Sequence, residues 1–200
     1  IAMVGLMTGL NNFTEELTMT SSPDIHIYHD ITEERPTLAE QVNPAGINFV
    51  HHQKPKKETP KLRNALQITE LIRKDPRVLG VAPTLSSQVF YNYGPVQLNG
   101  TISGVDIMEE DKLFDLRSKM KSGSLEDLQA NTDGIIMGTG LARKLDTKTG
   151  DRVVITTPEG YTMTLKIVGT FQMGIGLVDN IRSYANISTV QVILQQDQSY

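Results

Sequence analysis

Two long β-type runs, residues 78–93 and 96–105, stand either side of Gly94-Pro95. A two-residue Gly-Pro joint between such runs predicts an antiparallel hairpin, its first strand bent at Pro83. A hairpin alone is marginal in water, so this one has to lay a face on a core built with other elements. Further pieces are readable downstream. The short apolar run 134–137 reads as a buried strand, and 140–145 as a short helix with Leu141 and Leu145 one turn apart. Residues 152–157 and 161–171 read as two more strands, separated by the turn-type sequence Pro158-Glu159-Gly160. Residues 183–187 and 189–194 close the pattern as apolar, strand-like runs.

Helical periodicity accounts for much of the rest. Residues 60–74 place Leu62, Leu66, Thr69 and Ile72 on one face, with Pro60 suited to a first turn and Asp75-Pro76 as the stop. Residues 106–121 read as a loop and then a helix aligning Leu113, Leu116 and Met120, with Gly123 as its C-cap. Gly174 and Gly176 mark a loop. Asp24–Asp30 reads as a strand, and residues 31–60, with Pro36, Pro44, Pro55 and Pro60, as a long mobile or partner-facing loop holding at most a short helix at 37–42. No sequence repeat is present. The fold class expected is α+β.

Residues 1–20 form a helix pattern through Ile1, Val4, Met7, Leu10 and Leu17. The first ten residues are nearly all apolar or Gly, and acids enter only at Glu15 and Glu16. That gradient fits either an amphipathic surface helix or the last turns of a membrane helix emerging as a stalk. No stretch reaches the roughly 20 apolar residues of a full membrane span, and no basic segment precedes the apolar start as a signal peptide requires. Beginning at Ile1 and ending at Tyr200, the chain is expected to be a piece of a longer protein.

Composition narrows the function. With 38% hydrophobic and 21% charged residues the chain is of the globular class. Its net charge of −4 argues against a nucleic-acid partner, leaving only a local basic patch around Lys54–Lys61. The absence of cysteine removes disulfides, Cys-based zinc sites and a thiol nucleophile.

Several motifs imitate catalytic signatures. Gly138-Thr139-Gly140 joins a strand to a helix, with Glu159 about 20 residues on, as in a dinucleotide fingerprint. Arg143, however, stands where close helix packing needs Gly or Ala, and the plainer reading is a tight strand-to-helix turn. Ser118-Lys-Met-Lys121 and Lys148-Thr149-Gly150 match two words of penicillin-binding enzymes. They lie too close together to enclose that active site, and the second falls in a turn. His26 and His29 point to opposite faces of a strand; Asp24, His26 and Asp30 share one face that His51 or His52 would have to join to hold a metal. The plainer reading is a polar outer strand face. Glu109-Glu110-Asp111 and Glu126-Asp127 read as solvated helix starts, favoured by the helix dipole. No catalytic residue, cofactor or metal is assigned. The residues chosen as partner contacts are Thr157, Pro158, Glu159, Gly160 and Tyr161 at the hairpin tip and His51, His52, Lys54, Lys56 and Lys57 in the long loop. The choice rests on exposure and composition, and ordinary solvent-facing loops are the plainer reading.

An ordered set of words carries a family resemblance: Met7-Thr-Gly-Leu-Asn-Asn-Phe13, Val78-Leu-Gly-Val-Ala-Pro83, Ile102-Ser-Gly-Val-Asp106, Ile135-Ile-Met-Gly-Thr-Gly-Leu-Ala-Arg-Lys-Leu145, Gly150-Asp-Arg-Val-Val-Ile155 and Leu165-Lys-Ile-Val-Gly-Thr-Phe171. Together they resemble the MacB-like periplasmic core domain of ABC-transporter permeases, a superfamily that includes the LolC, LolE and FtsX types. Two departures stand out. Ile107 replaces the proline of the family's Gly-Val-Asp-Pro word, and the connection 157–161 is too short for the chaperone-capturing hook of LolC-type members.

The resemblance implies a stalk over 1–21, a porter-like βαββ part over 22–106 and a more β-rich, Sabre-like part over 107–200. It also implies a porter part completed by later segments, and so a sheet with an exposed edge in this piece. The implied function is non-catalytic, with no cofactor. It is the coupling of cytoplasmic ATP hydrolysis to export or release of lipoprotein, peptide or drug substrates on the periplasmic side of the bacterial inner membrane. The implied partners are an ATPase subunit or domain, a second permease chain in a homo- or heterodimer, and a periplasmic adaptor or chaperone. The alternative is a sensory or regulatory module that controls a cell-wall hydrolase or senses peptides, as in FtsX-like permeases. A free-standing enzyme is the third class.

Overall fold

The N-terminal hairpin forms as its sequence requires. In a computed structural model, which describes residues 25–28, 62 and 64–194, β1 (Thr84–Tyr93) and β2 (Val96–Val105) pair in unbroken register from Thr84 opposite Val105 to Tyr93 opposite Val96. Gly94, at φ 56°, supplies the left-handed position that the two-residue turn needs. The strand starts after Pro83 and not at Val78. Proline has no N–H for the ladder and ends the pairing there. Upstream, α1 (Ala65–Arg73) has Asn64 as its N-cap, later than the expected start at Pro60, which lies outside the described residues.

Beyond β2 come α2 (Ile107–Phe114), α3 (Leu116–Lys119), β3 (Met120–Gly123), α4 (Leu125–Ala130), β4 (Gly134–Gly138), α5 (Thr139–Leu145), β5 (Arg152–Thr156), β6 (Thr162–Phe171), α6 (Gly176–Ile181), β7 (Arg182–Asn186) and α7 (Ile187–Ile193). Asp106 caps α2, its carboxylate accepting from the amides of Met108 (3.1 Å) and Glu109 (3.4 Å). Several expectations are corrected here. Residues 120–123 are a strand, so Gly123 is no helix cap. Its φ of 72° and its position against the Val168 carbonyl, which a Cβ would strike, fit it to the close pairing of β3 with β6 opposite Gly169. Ser124 then caps the unexpected α4 by accepting from the Asp127 amide. The expected loop after Gly174 contains α6. The run 189–194, read as strand-like, lies in α7 up to Ile193, with Leu194 as the C-cap. Residues 25–28 form no strand among the described residues, and the rest of the Asp24–Asp30 run lies outside them.

The seven strands make one mixed sheet, and its pairings close on themselves. β2 runs parallel to β7, β7 antiparallel to β4, and β4 parallel to β6. β5 is antiparallel to β6 and also to β1, through Phe90–Asn92. The result is a six-stranded ring, β1-β2-β7-β4-β6-β5, with β3 added outside on β6. The sheet edge at β1 is partly covered by β5. The six residues Thr84–Val89 keep no second neighbour strand among the described residues.

Side-chain alternation fills this ring. Leu85, Val89 and Tyr91 of β1, Val153 and Ile155 of β5, and Leu165 and Ile167 of β6 join one buried cluster with Ile102, Ile135 and Met137. Leu141 and Leu145 of α5 and Val190 and Ile193 of α7 belong to the same cluster. Gly104 lets α7 approach β2: a Cβ there would lie 2.7 Å from that of Val190. On the other face, Ile136, Val168, Phe171 and Tyr184 pack with Ile107, Leu116, Leu125 and Leu128 from α2, α3 and α4. β4, touched from both sides, is buried at all its positions, which explains its unbroken apolar run.

Candidate partner-contact surface

The β5–β6 connection is a closed turn. The Thr157 amide donates to the Tyr161 carbonyl (2.8 Å), and the Gly160 amide donates to the Thr157 carbonyl (2.9 Å). The Thr157 hydroxyl oxygen accepts from the Tyr161 amide (3.3 Å). Thr157 is consequently 2% exposed. This corrects its selection on the ground of exposure: it clasps the turn. Pro158, Glu159 and Gly160 are exposed and Tyr161 is half-buried. The other contact candidates, His51, His52, Lys54, Lys56 and Lys57, lie outside the described residues.

The catalytic look-alikes resolve into packing. A Cβ on Gly138 would strike the Asp179 carbonyl, and one on Gly140 the Asn180 side-chain oxygen. Helix α6 thus occupies the space over the β4–α5 turn that a pyrophosphate would need. Asp179 is itself buried and holds the preceding loop, accepting from the amides of Met173 (2.7 Å) and Gly174 (3.1 Å). Ser118 lies in a short helix with its hydroxyl on the Asp115 carbonyl (2.9 Å), while Lys121 sits on β3, so the two do not share a helix face. Among the described residues no three His, Asp or Glu side chains converge on a metal position. His26 stacks near Tyr28 at 5.4 Å, and Asp24, His29 and Asp30 lie outside the described residues.

The acidic helix start is not uniformly solvated, as expected of it. Glu109 pairs with Lys112 (3.0 Å), and Asp111 pairs with Arg117 (3.2 Å), which also reaches Glu126 (2.6 Å). Glu110 instead turns inward, with a buried carboxylate oxygen that has no hydrogen-bond partner. Desolvation pushes its carboxyl up to about 7, opposed by the charge of Arg182. Its neighbours Glu109 and Asp111 are paired at the surface, and nothing in the run of three acids marks the middle one as buried.

Sequence reasoning also missed an open groove of about 470 Å³ beside β3, where Ser122 and Thr170 meet Thr149 of the β5 approach, with Arg143 and Lys148 at its rim. The Lys148-Thr149-Gly150 word falls there. No described helix is long and apolar enough to cross a membrane.

Comparison with known proteins gives one answer. The family model "MacB-like periplasmic core domain" matches residues 1–200. The lipoprotein-releasing system transmembrane protein LolC of Neisseria meningitidis serogroup B is 32% identical over 145 residues, 68% of this chain and 34% of that protein. LolC of Xylella fastidiosa strain 9a5c is 29% identical over 139 residues, 64% of this chain and 33% of that protein. The chain thus spans about a third of the length of these relatives. The extracellular domain of the noncanonic ABC-type transporter YknZ from Gram-positive bacteria superposes with a TM-score of 0.53 at 12% identity, covering 86% of this chain and 77% of that one. At that identity the likeness concerns the fold.

Proposed function

The chain belongs to the MacB-like periplasmic core domain family, and on that premise we propose that it is the extracytoplasmic domain of an ABC-transporter permease. In this reading it does no chemistry of its own. It relays the conformational cycle of a cytoplasmic ATPase to a substrate on the periplasmic side. The observation that carries the reading is the match of the family description to all 200 residues. The relation to LolC favours a lipid-anchored protein as the substrate class. The stalk over 1–21, which lies outside the described residues, and the division into porter-like (22–106) and Sabre-like (107–200) parts belong to the same reading.

The exposed Pro158–Gly160 tip is the best-placed contact for a periplasmic partner. It is rigidly presented, because Thr157 and Tyr161 clasp it from below. The test is reconstitution of the full permease with its ATPase in vesicles carrying a lipid-anchored protein. ATP-dependent loss of that protein from the vesicles is the expected result. ATP-dependent activation of a cell-wall hydrolase, with the lipid-anchored protein retained, would move the chain to the regulatory class.

A further inference from the structure

We propose that the groove between β3, α5 and the β5 approach binds a phosphate ester, the chemistry shared by an anionic lipid headgroup and a soluble sugar or glycerol phosphate. The Ser122 hydroxyl lies 2.6 Å from that of Thr149 and 2.8 Å from that of Thr170. Three hydroxyls joined by two hydrogen bonds use two of their three hydrogens, so one O–H is left to donate outward. Ser122 reaches this position through an irregularity in β3, whose register against β6 shifts between Met120 and Ser122. Bulges of this kind re-aim a side chain.

The rim adds charge. Arg143 and Lys148 line the groove, and neither makes an ion pair with a described residue. Three backbone donors of the turn are already engaged: the Thr147 amide by Ala142, the Gly150 amide by Ile167, and the Lys148 amide by the Asp151 carboxylate (2.8 Å). The side-chain donors that line the groove include two cations, in a chain whose net charge is −4. An acceptor-rich oxyanion complements that set. The groove is open to solvent, with about 470 Å³ of accessible space. It leaves room for an organic group on the phosphate.

The test follows backbone amides of the 200-residue chain by NMR during titration with inorganic phosphate and with glycerol 3-phosphate. Co-sedimentation with phosphatidylcholine vesicles, with and without phosphatidylglycerol, runs in parallel. Saturable shifts at Ser122, Thr149 and Thr170 are expected with glycerol 3-phosphate. The Arg143→Gln, Lys148→Gln pair should weaken them by about tenfold or more, since each loses a charge-assisted bond. Ser122→Ala, which alters no charge, should weaken them about threefold. Sedimentation with phosphatidylglycerol that the same pair abolishes assigns the phosphate to a lipid. Saturation by glycerol 3-phosphate without sedimentation assigns it to a soluble ester. No saturable shift with any probe, or shifts that the double variant leaves unchanged, would overturn the site.

Discussion

Tyr91→Ala is expected to lower the unfolding free energy by about 3–5 kcal/mol, a large part of the roughly 5–15 kcal/mol that holds a domain of this size together. Tyr91 is fully buried inside the ring, and its hydroxyl lies 2.5 Å from that of Ser183, itself 0% exposed. The alanine variant loses the packing of an entire ring and leaves Ser183 without its partner. Tyr91→Phe separates the two effects. It keeps the volume and removes the hydroxyl, so it should cost about 1–2 kcal/mol. Phe90, the preceding residue, points to the opposite face and is 38% exposed. Phe90→Ala should therefore cost well under half as much as Tyr91→Ala. Urea denaturation of the three variants measures these differences. Equal losses at positions 90 and 91 would contradict the placement of Tyr91 inside the core and Phe90 on the outer face of β1.

The second large effect depends on pH. In the folded chain Glu110 holds its proton up to about 7, against the usual 4.5. Below about 4.5 the group is protonated in folded and unfolded chains, and its titration contributes nothing to stability. Between 4.5 and 7 the folded state binds more proton than the unfolded one, so stability falls as pH rises. Above about 7 the loss is complete, on the order of 3 kcal/mol. The groups facing Glu110 are Arg182, whose charge limits the shift, and Tyr184, which lies within reach of both charges. Glu110→Gln removes the charge that burial penalises. It should stabilise the chain by up to about 3 kcal/mol near pH 8 and have little effect near pH 4. Parallel stability–pH curves for the two proteins, from thermal or urea unfolding, would show that the carboxylate is solvated after all.

What was readable in the sequence, and what was not, divides along a physical line. The β1–β2 and β5–β6 hairpins, β4 and α5 announce themselves by local means: alternation, an unbroken apolar run, and Gly or Pro at the joints. The elements that were missed are held by distant contacts. α7 contains Ile187, Val190, Val192 and Ile193, β-branched residues that favour strands. It is a helix because Val190 and Ile193 enter the ring beside Gly104, more than eighty residues earlier in the chain. α6 stands on Asp179, whose carboxylate ties down the amides of residues 173 and 174. β3 is four residues long and exists only through β6. The contact of β5 with β1 that closes the ring joins residues some sixty positions apart, with no local signal.

The candidate surface divides in the same way. Pro158-Glu159-Gly160 was visible as a turn, and it is one. Thr157 looked like part of the exposed tip, and its burial follows from three hydrogen bonds to residues three and four positions ahead. Gly138-Thr-Gly140 is readable as a tight strand-to-helix turn, and it is one. The physical reason, α6 lying over both glycines, could not be seen in the sequence. Lys148-Thr149-Gly150 drew attention through an enzyme motif that does not apply. Lys148 and Thr149 nevertheless line a groove in which hydroxyls and cations meet.

The central claim is that this chain works outside the inner membrane as part of a permease. A single cysteine at Glu159, at the exposed tip, reports on it directly, since the 200-residue sequence has none of its own. In the full-length protein, freed of other cysteines, intact cells are treated with a thiol reagent that crosses the outer membrane but not the inner one. Glu159→Cys should label in intact cells, and Thr157→Cys, buried under the same turn, only after denaturation. Labelling of Glu159→Cys solely after the inner membrane is broken would place the tip in the cytoplasm and contradict the account.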